Sequence, residues 1–222
     1  MVKAILFDLD GTLLDTVGDI HRHLNEALCA HGYAEISLEE TRRFIGDGAR
    51  KLVERALPKD AKFSEELFSD FAQRYAESDN RLTKPYAGER EALKKFLDRG
   101  VRLGIVTNKP QAATVRCVEQ FFSDIPFDFV QGDSGTFPCK PDPTLARYAA
   151  LSMRVPVGEC AFVGDGETDI RTARNAGMFS VAVLWGYRSR EQLEGAGART
   201  FAADFQELEK ILFPEKNSTS NG

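Results

Sequence analysis

The stretch AILFDLDGTLLDT (residues 4–16) sets four apolar residues directly before two carboxylates, Asp8 and Asp10, with a third, Asp15, close behind. The run 4–7 has the continuous hydrophobicity of a strand covered on both faces. Residues two apart in a strand share a face, so Asp8 and Asp10 leave it on the same side, and Gly11 lets the backbone turn just after them. Like charges that close repel. A chain that places them there has either a neutralising partner or a use for the pair.

Further short apolar runs lie at 103–106, 127–130, 160–163 and 180–184, separated by helical patterns at 88–99, 110–122, 143–152 and 168–176. In the first of these helices Ala92, Leu93, Phe96 and Leu97 share one face and Gly100 ends it. Strand–helix alternation of this kind predicts an α/β fold, a Rossmann-like three-layer core with a parallel sheet and right-handed crossovers.

The alternation fails between residues 16 and 85, which read as helices only. Thr16 is expected to cap a helix carrying Ile20, Leu24, Ala27 and Leu28. Ser37 and Glu40 have capping-box spacing before a short helix that stops at Gly46. Helices over 49–57 and 65–80 follow, the second with Leu67, Phe68, Phe71 and Tyr75 on one stripe, the pattern of a bundle core. The expected organisation is an α/β core of residues 1–15 and 86–213, a helical bundle inserted over 16–85, and a flexible tail over 214–222. The Asn217-Ser218-Thr219 triplet in that tail reads as a chance sequon.

Bulk properties narrow the function. The 222 residues are 42% hydrophobic and 28% charged, with net charge -5, ordinary for a globular protein. Nothing resembles a nucleic-acid-binding surface, a membrane span or a secretion signal, so a cytoplasmic protein, monomer or homodimer, is expected. Cys29, Cys117, Cys139 and Cys160 are scattered, without metal-ligand spacing. His21, His23 and His31 all fall in the first inserted helix, where residues two apart diverge, and are read as surface groups.

In parallel sheets of this kind ligands bind beyond the carboxyl ends of the strands. Those ends carry Asp8 and Asp10; Thr107 and Asn108 in TNKP (residues 107–110); and Asp165 and Asp169 in GDGETD (residues 164–169). Lys140 opens KPDP (residues 140–143) before a helix. Against one lysine, four carboxylates leave three negative charges uncompensated, which calls for a divalent cation or a proton. An all-oxygen donor set suits Mg²⁺ rather than Zn²⁺. A cation, a lysine, a hydroxyl and helix N-termini together make a cradle for a phosphoryl group.

DLDGTL (residues 8–13) resembles the first motif of the haloacid dehalogenase superfamily of phosphohydrolases, and Thr107, Lys140 and the Asp165–Asp169 segment match its other three motifs in order. The resemblance implies that Asp8 attacks phosphorus and becomes an aspartyl-phosphate, and that Asp10 protonates the leaving oxygen and then activates water. It implies Mg²⁺ on the Asp8 carboxylate, the Asp10 carbonyl and Asp165, with Asp169 supporting the metal or orienting Lys140. Thr107, the Asn108 backbone and Lys140 would hold the phosphoryl oxygens. An acid at residue 10 favours phosphoryl transfer over the dehalogenase chemistry of the same superfamily.

RRFIGDGA (residues 42–49), LVERAL (52–57), TNKP and WGY (185–187) with AGA (196–198) are similar to bacterial phosphoglycolate phosphatases. That resemblance implies a helical cap over the site and a carboxylated substrate, 2-phosphoglycolate. The expected cap contacts are Gly46, Asp47 and Gly48 with Arg50 or Arg55; Asp47 stands where such proteins often carry a neutral residue. The alternatives are a phosphatase of pyrophosphate, a nucleotide or a sugar phosphate, and an inactive phosphate-binding or scaffold protein.

Overall fold

Strand β1 (Ala4–Phe7) is buried on both faces because it lies in the middle of a sheet. The computed structural model describes residues 2–214, so the tail expected over 214–222, with its sequon, lies, Pro214 apart, outside the described residues. After β1 come β2 (Leu14–Asp15) and four helices, α1 (Val17–Ala30), α2 (Leu38–Phe44), α3 (Ala49–Ala56) and α4 (Glu65–Ala76). The chain returns through β3 (Lys84–Pro85) to α5 (Glu89–Asp98), β4 (Arg102–Pro110), α6 (Gln111–Phe121) and β5 (Phe129–Asp133). It continues with α7 (Thr144–Ser152), β6 (Cys160–Gly164), α8 (Glu167–Ala176) and β7 (Phe179–Val183), and closes with α9 (Arg190–Gly195), β8 (Phe201–Ala202) and α10 (Phe205–Leu212).

The six-stranded sheet runs β5-β4-β1-β6-β7-β8 and every pairing is parallel. Its faces are covered by separate apolar clusters. One joins Ile5, Phe7 and Ile105 to Phe96 of α5 and Leu208 of α10; the other joins Leu6 and Phe162 to Ala146 and Ala149 of α7 and Ala173 of α8. The fold is thus the three-layer α/β architecture that the apolar runs predict. Because β4 and β6 flank β1, their carboxyl ends open beside Asp8 at the point where strand order reverses.

Helices α1 to α4 bury their own core, with Leu24, Leu28, Leu52, Leu67 and Phe71 at its centre. The capping box predicted at Ser37 is present: the Ser37 side chain accepts from Glu40 N, and Glu40 reaches back to Ser37 N at 2.8 Å. The chain enters and leaves this insertion through the antiparallel pair of β2 and β3, two residues each, too short for any periodicity to predict.

Several details differ from the sequence reading. Thr16 precedes α1 but gives it no side-chain cap: its backbone is helical (φ -105°, ψ -3°) rather than extended, and its hydroxyl is turned to Asp10 Oδ1, to which it donates at 2.8 Å. Helix α4 ends at Ala76, short of residue 80, where Asn80 takes a positive φ of 50° that no helix continues. Strand β5 starts two residues later than predicted, since Phe127 is held in a turn by Ile125 O. His23 is buried, not at the surface: its Nε2 meets the Ser78 hydroxyl at 3.0 Å and its Nδ1 meets Glu26 at 3.1 Å.

Glu89, the first residue of α5, is buried, and its Oε1 has no hydrogen-bond partner among the described residues. Burial pushes its carboxyl up from the ordinary 4.5 to about 7, more than Arg90 offsets. A raised carboxyl pKa supports the fold below the unfolded-state value and withdraws that support as pH rises through about 7. Glu89→Gln is therefore expected to be more stable than the wild type at pH 8, by about 3 kcal/mol, and to differ far less at pH 5. Urea midpoints of the two proteins at both pH values check this.

Candidate active site

The acids converge because two neighbouring strands, β1 and β6, end together. Asp8 follows β1 directly, Asp165 follows β6, and Asp169 sits one turn into α8. One carboxylate oxygen from each of Asp8, Asp165 and Asp169 lies within 4.8 Å of the others, and all three residues are buried. Two glycines permit the approach. A Cβ on Gly11, which has φ +82°, or on Gly186 would overlap the Asp165 carboxylate.

Each carboxylate is held. Asp8 Oδ1 accepts from Leu9 N at 2.7 Å and lies 2.9 Å from Lys140 Nζ. Asp165 Oδ1 accepts from the Thr12 hydroxyl at 3.1 Å and Oδ2 from Tyr187 N at 2.7 Å. Asp169 accepts from Gly166 N at 2.9 Å and from Lys140 Nζ at 2.6 Å. Lys140 thus bridges Asp8 and Asp169 and is itself tied to the end of β4: Asn108 Oδ1 accepts from Lys140 N at 2.7 Å, and Asn108 Nδ2 donates to Lys140 O at 3.1 Å.

Three carboxylates around one ammonium leave charge over. Burial lowers the pKa of Lys140, but the charges of Asp169 and Asp8 outweigh it and hold the ammonium protonated. Burial together with the charges of Asp169 and Asp8 pushes Asp165 up to about 8, and burial also raises Asp169 despite Lys140. A buried all-oxygen cluster with charge unmet fits a hard divalent cation.

Asp10 stands apart from this cluster. Its Oδ1 accepts from Thr16 Oγ1 and from Lys109 Nζ, both at 2.8 Å. Thr107, at the end of β4, is buried, and its hydroxyl accepts from Lys109 N at 3.3 Å.

A cleft partly open to solvent separates these groups from the inserted helices. Asp8, Asp10, Asn108 and Asp165 line its floor. Ile20, Ile45, Leu52 and Phe71 form an apolar far wall. Gly46 and Gly48 line it, whereas Asp47, Arg50 and Arg55 do not. Asp47 pairs with Arg55, which also donates to Phe44 O. Arg50 makes a two-pronged bond to Glu65 at 2.9 Å and lies over Phe63 and Phe68. Partners within the insertion thus draw Asp47, Arg50 and Arg55 away from the cleft.

Its cations come from the sheet side instead. Lys109, which follows Asn108, and Arg188, which follows Tyr187, both line the cleft. Arg188 Nε donates to Glu167 at 3.0 Å, and its other nitrogens donate to Arg42 O and Ile45 O at the end of α2. The Tyr187 hydroxyl accepts from Thr16 N at 2.8 Å and Val17 N at 3.1 Å and donates to Asp15 Oδ1 at 3.1 Å. Asp15 therefore supports the start of α1. Neither lysine nor arginine stands out by spacing; the signal for each is its position just past an apolar strand run.

Comparison with known proteins agrees with this geometry. The family model for haloacid dehalogenase-like hydrolases matches residues 5–183. A phosphoglycolate phosphatase of Vibrio parahaemolyticus is 33% identical over 228 residues, covering 95% of this chain and 96% of that protein. Another, of Xylella fastidiosa, is 36% identical over 200 residues, covering 85% and 83%. A crystal structure from Lactobacillus delbrueckii subsp. bulgaricus, whose name carries the same activity as a prediction, superposes with a TM-score of 0.87 at 31% identity, covering 96% of this chain and 99% of that one. With a match that runs from the first strand to the fifth strand of the parallel sheet, this chain belongs to the haloacid dehalogenase-like hydrolase family.

Proposed function

We propose that the protein is a Mg²⁺-dependent phosphatase that hydrolyses a small phosphate monoester through an aspartyl-phosphate on Asp8, with 2-phosphoglycolate as its substrate. The observation that carries this reading is Lys140 Nζ set 2.9 Å from Asp8 and 2.6 Å from Asp169, beside Asp165. A protein that only bound phosphate would gain nothing from a carboxylate nucleophile facing the anion, and this arrangement tolerates one because its charge is shared.

Asp8 and Asp165 would hold the cation with the Asp10 main-chain carbonyl, while Asp169 holds Lys140. When bound, Mg²⁺ supplies a Lewis acid that draws charge from the phosphoryl oxygens. In the first step an Asp8 carboxylate oxygen bonds to phosphorus, the phosphorus–ester bond breaks, and the leaving oxygen keeps that electron pair and takes a proton from Asp10. In the second step water attacks phosphorus and gives a proton to Asp10, and the bond to Asp8 breaks. Thr107, the Asn108 main-chain N–H and Lys140 bind phosphoryl oxygens. The Asn108 side chain is committed elsewhere, to Lys140 and to Gly46 O at 3.1 Å.

The insertion, residues 16–85, acts as a cap that excludes water, and its apolar wall favours a short substrate. Apart from the Tyr75 hydroxyl, which Lys109 engages, that wall offers no side-chain partners for sugar hydroxyls, and the lining cation Arg188 suits a second anionic group such as a carboxylate. The curated relatives' names point the same way.

Asp8→Asn is expected to lower kcat by roughly 10⁴-fold or more while the protein still melts cooperatively, since the nearly isosteric amide removes the nucleophile. Retained turnover in that variant excludes Asp8 as nucleophile. A panel of 2-phosphoglycolate, pyrophosphate, a nucleoside monophosphate and a sugar phosphate is expected to place 2-phosphoglycolate among the best by kcat/KM. Activity is expected to vanish with EDTA and return with Mg²⁺; metal-independent turnover, or none on any ester, rules the proposal out.

A further inference from the structure

Lys109 is an ammonium buried between the two parts of the molecule, 4% exposed. On one side it donates to Asp10 Oδ1 at 2.8 Å. On the other it donates to the hydroxyl of Tyr75 and lies over that ring, 4.2 Å from its centroid. Tyr75 belongs to α4, and its ring stacks on Phe71 at 5.6 Å and faces His23 at 6.2 Å, both within the insertion. A lysine of the sheet therefore has its charged end seated in the aromatic core of the inserted helices.

The second donor to Asp10 has a related origin. Thr16, whose hydroxyl also donates to Oδ1, stands between β2 and α1, where the chain enters the insertion. Both side-chain bonds that Asp10 receives among the described residues fall on the same oxygen. Two donors converging on Oδ1 fix the carboxylate plane and leave Oδ2 free, on a residue that lines the cleft. Both donors also depend on the insertion: Thr16 begins it, and Lys109 is held by its Tyr75. A buried ammonium must keep its partners, so displacing α4 would leave Lys109 to find others and release Asp10.

We propose that Lys109 is a positioning residue: braced by Tyr75, it sets the orientation of Asp10 and makes that orientation depend on the helical insertion being seated over the cleft. This rests on the reading of Asp10 as the acid that protonates the leaving oxygen. In that step the phosphorus–oxygen bond breaks and its electron pair stays on the ester oxygen. An alkoxide needs the proton from Asp10 to leave; a nitrophenolate does not. Misplacing Asp10 therefore harms an alkyl ester selectively, whereas general loosening of the site harms both.

The test compares kcat/KM, which reports the steps through bond cleavage, for 2-phosphoglycolate and ethyl phosphate against 4-nitrophenyl phosphate with Mg²⁺. Lys109→Met is expected to lose about 10²-fold or more on the better alkyl ester and less than about 5-fold on the aryl ester. Tyr75→Phe, which keeps the ring and removes only the hydroxyl, is expected to show the same selectivity with a smaller loss. The double variant is expected to be no worse than Lys109→Met, because the two residues act as one unit. Equal losses on both esters in a cooperatively melting variant overturn the proposal. If Lys109→Met does not fold, Tyr75→Phe alone decides: an unselective loss, or none, is likewise fatal. Wild-type protein that hydrolyses neither ester overturns the phosphatase reading and this one with it, whereas wild-type turnover with unselective variants overturns only the role of Lys109.

Discussion

An ammonium as deeply buried as that of Lys140 is stable only where carboxylates meet its charge, and much of the site is arranged around that requirement. Asp8 and Asp169 approach it from β1 and α8, and Asn108 pins its main chain to β4 from both sides. Removing one partner of such a pair leaves an uncompensated buried charge, at about 3–5 kcal/mol. The requirement reaches further than the pair. Among the described residues Asp165 has no cation within hydrogen-bond reach, and burial beside Asp169 and Asp8 raises it to about 8. Thr12 and Tyr187 N hold its two oxygens in place while that charge remains unmet. The fold thus disfavours a third negative charge beside Asp8 and Asp169, a cost that a divalent ion would offset.

Strand order makes the cluster possible. The apolar runs in the sequence identify strands buried on both faces, and hence a parallel sheet between helical layers. The acids at their ends were legible for the same reason, since each follows its run directly. What no run reveals is that β4 and β6 both lie beside β1; that comes from right-handed crossovers, and it converts separate motifs into one site.

The unreadable parts have physical causes of their own. Strands β2 and β3 are two residues each, below the length at which alternation means anything. Thr16 is a good helix-capping residue, but a cap needs its oxygen to accept from an α1 amide on an extended backbone; here the backbone is helical and the hydroxyl is aimed at the Asp10 carboxylate, a charged and hence strong acceptor. Arg50 and Arg55 looked free in sequence because their partners are tertiary or lie across a turn: Glu65 is on another helix, and Asp47 precedes α3. Lys109 and Arg188 were invisible as site cations for the opposite reason. A lone lysine or arginine is normally solvated, and only the contact between sheet and insertion buries these two.

The same contact shows how the two parts divide the cleft. The insertion supplies apolar side chains, while nearly every charge comes from the sheet side. Yet the loops that carry Lys109 and Arg188 also hold the insertion. Asn108 donates to Gly46 O, Arg188 to the carbonyls ending α2, Tyr187 receives the first amides of α1, and Lys109 meets Tyr75. These bonds are directional and satisfy groups that would otherwise be buried unpaired, so they are made or lost as a set. A displacement of the inserted helices would therefore not merely admit water. It would break bonds at the ends of β4 and β7 at once and shift the residues that border Asp8 and Asp10, tying the order of the charged floor to the position of a wall that carries almost no charge.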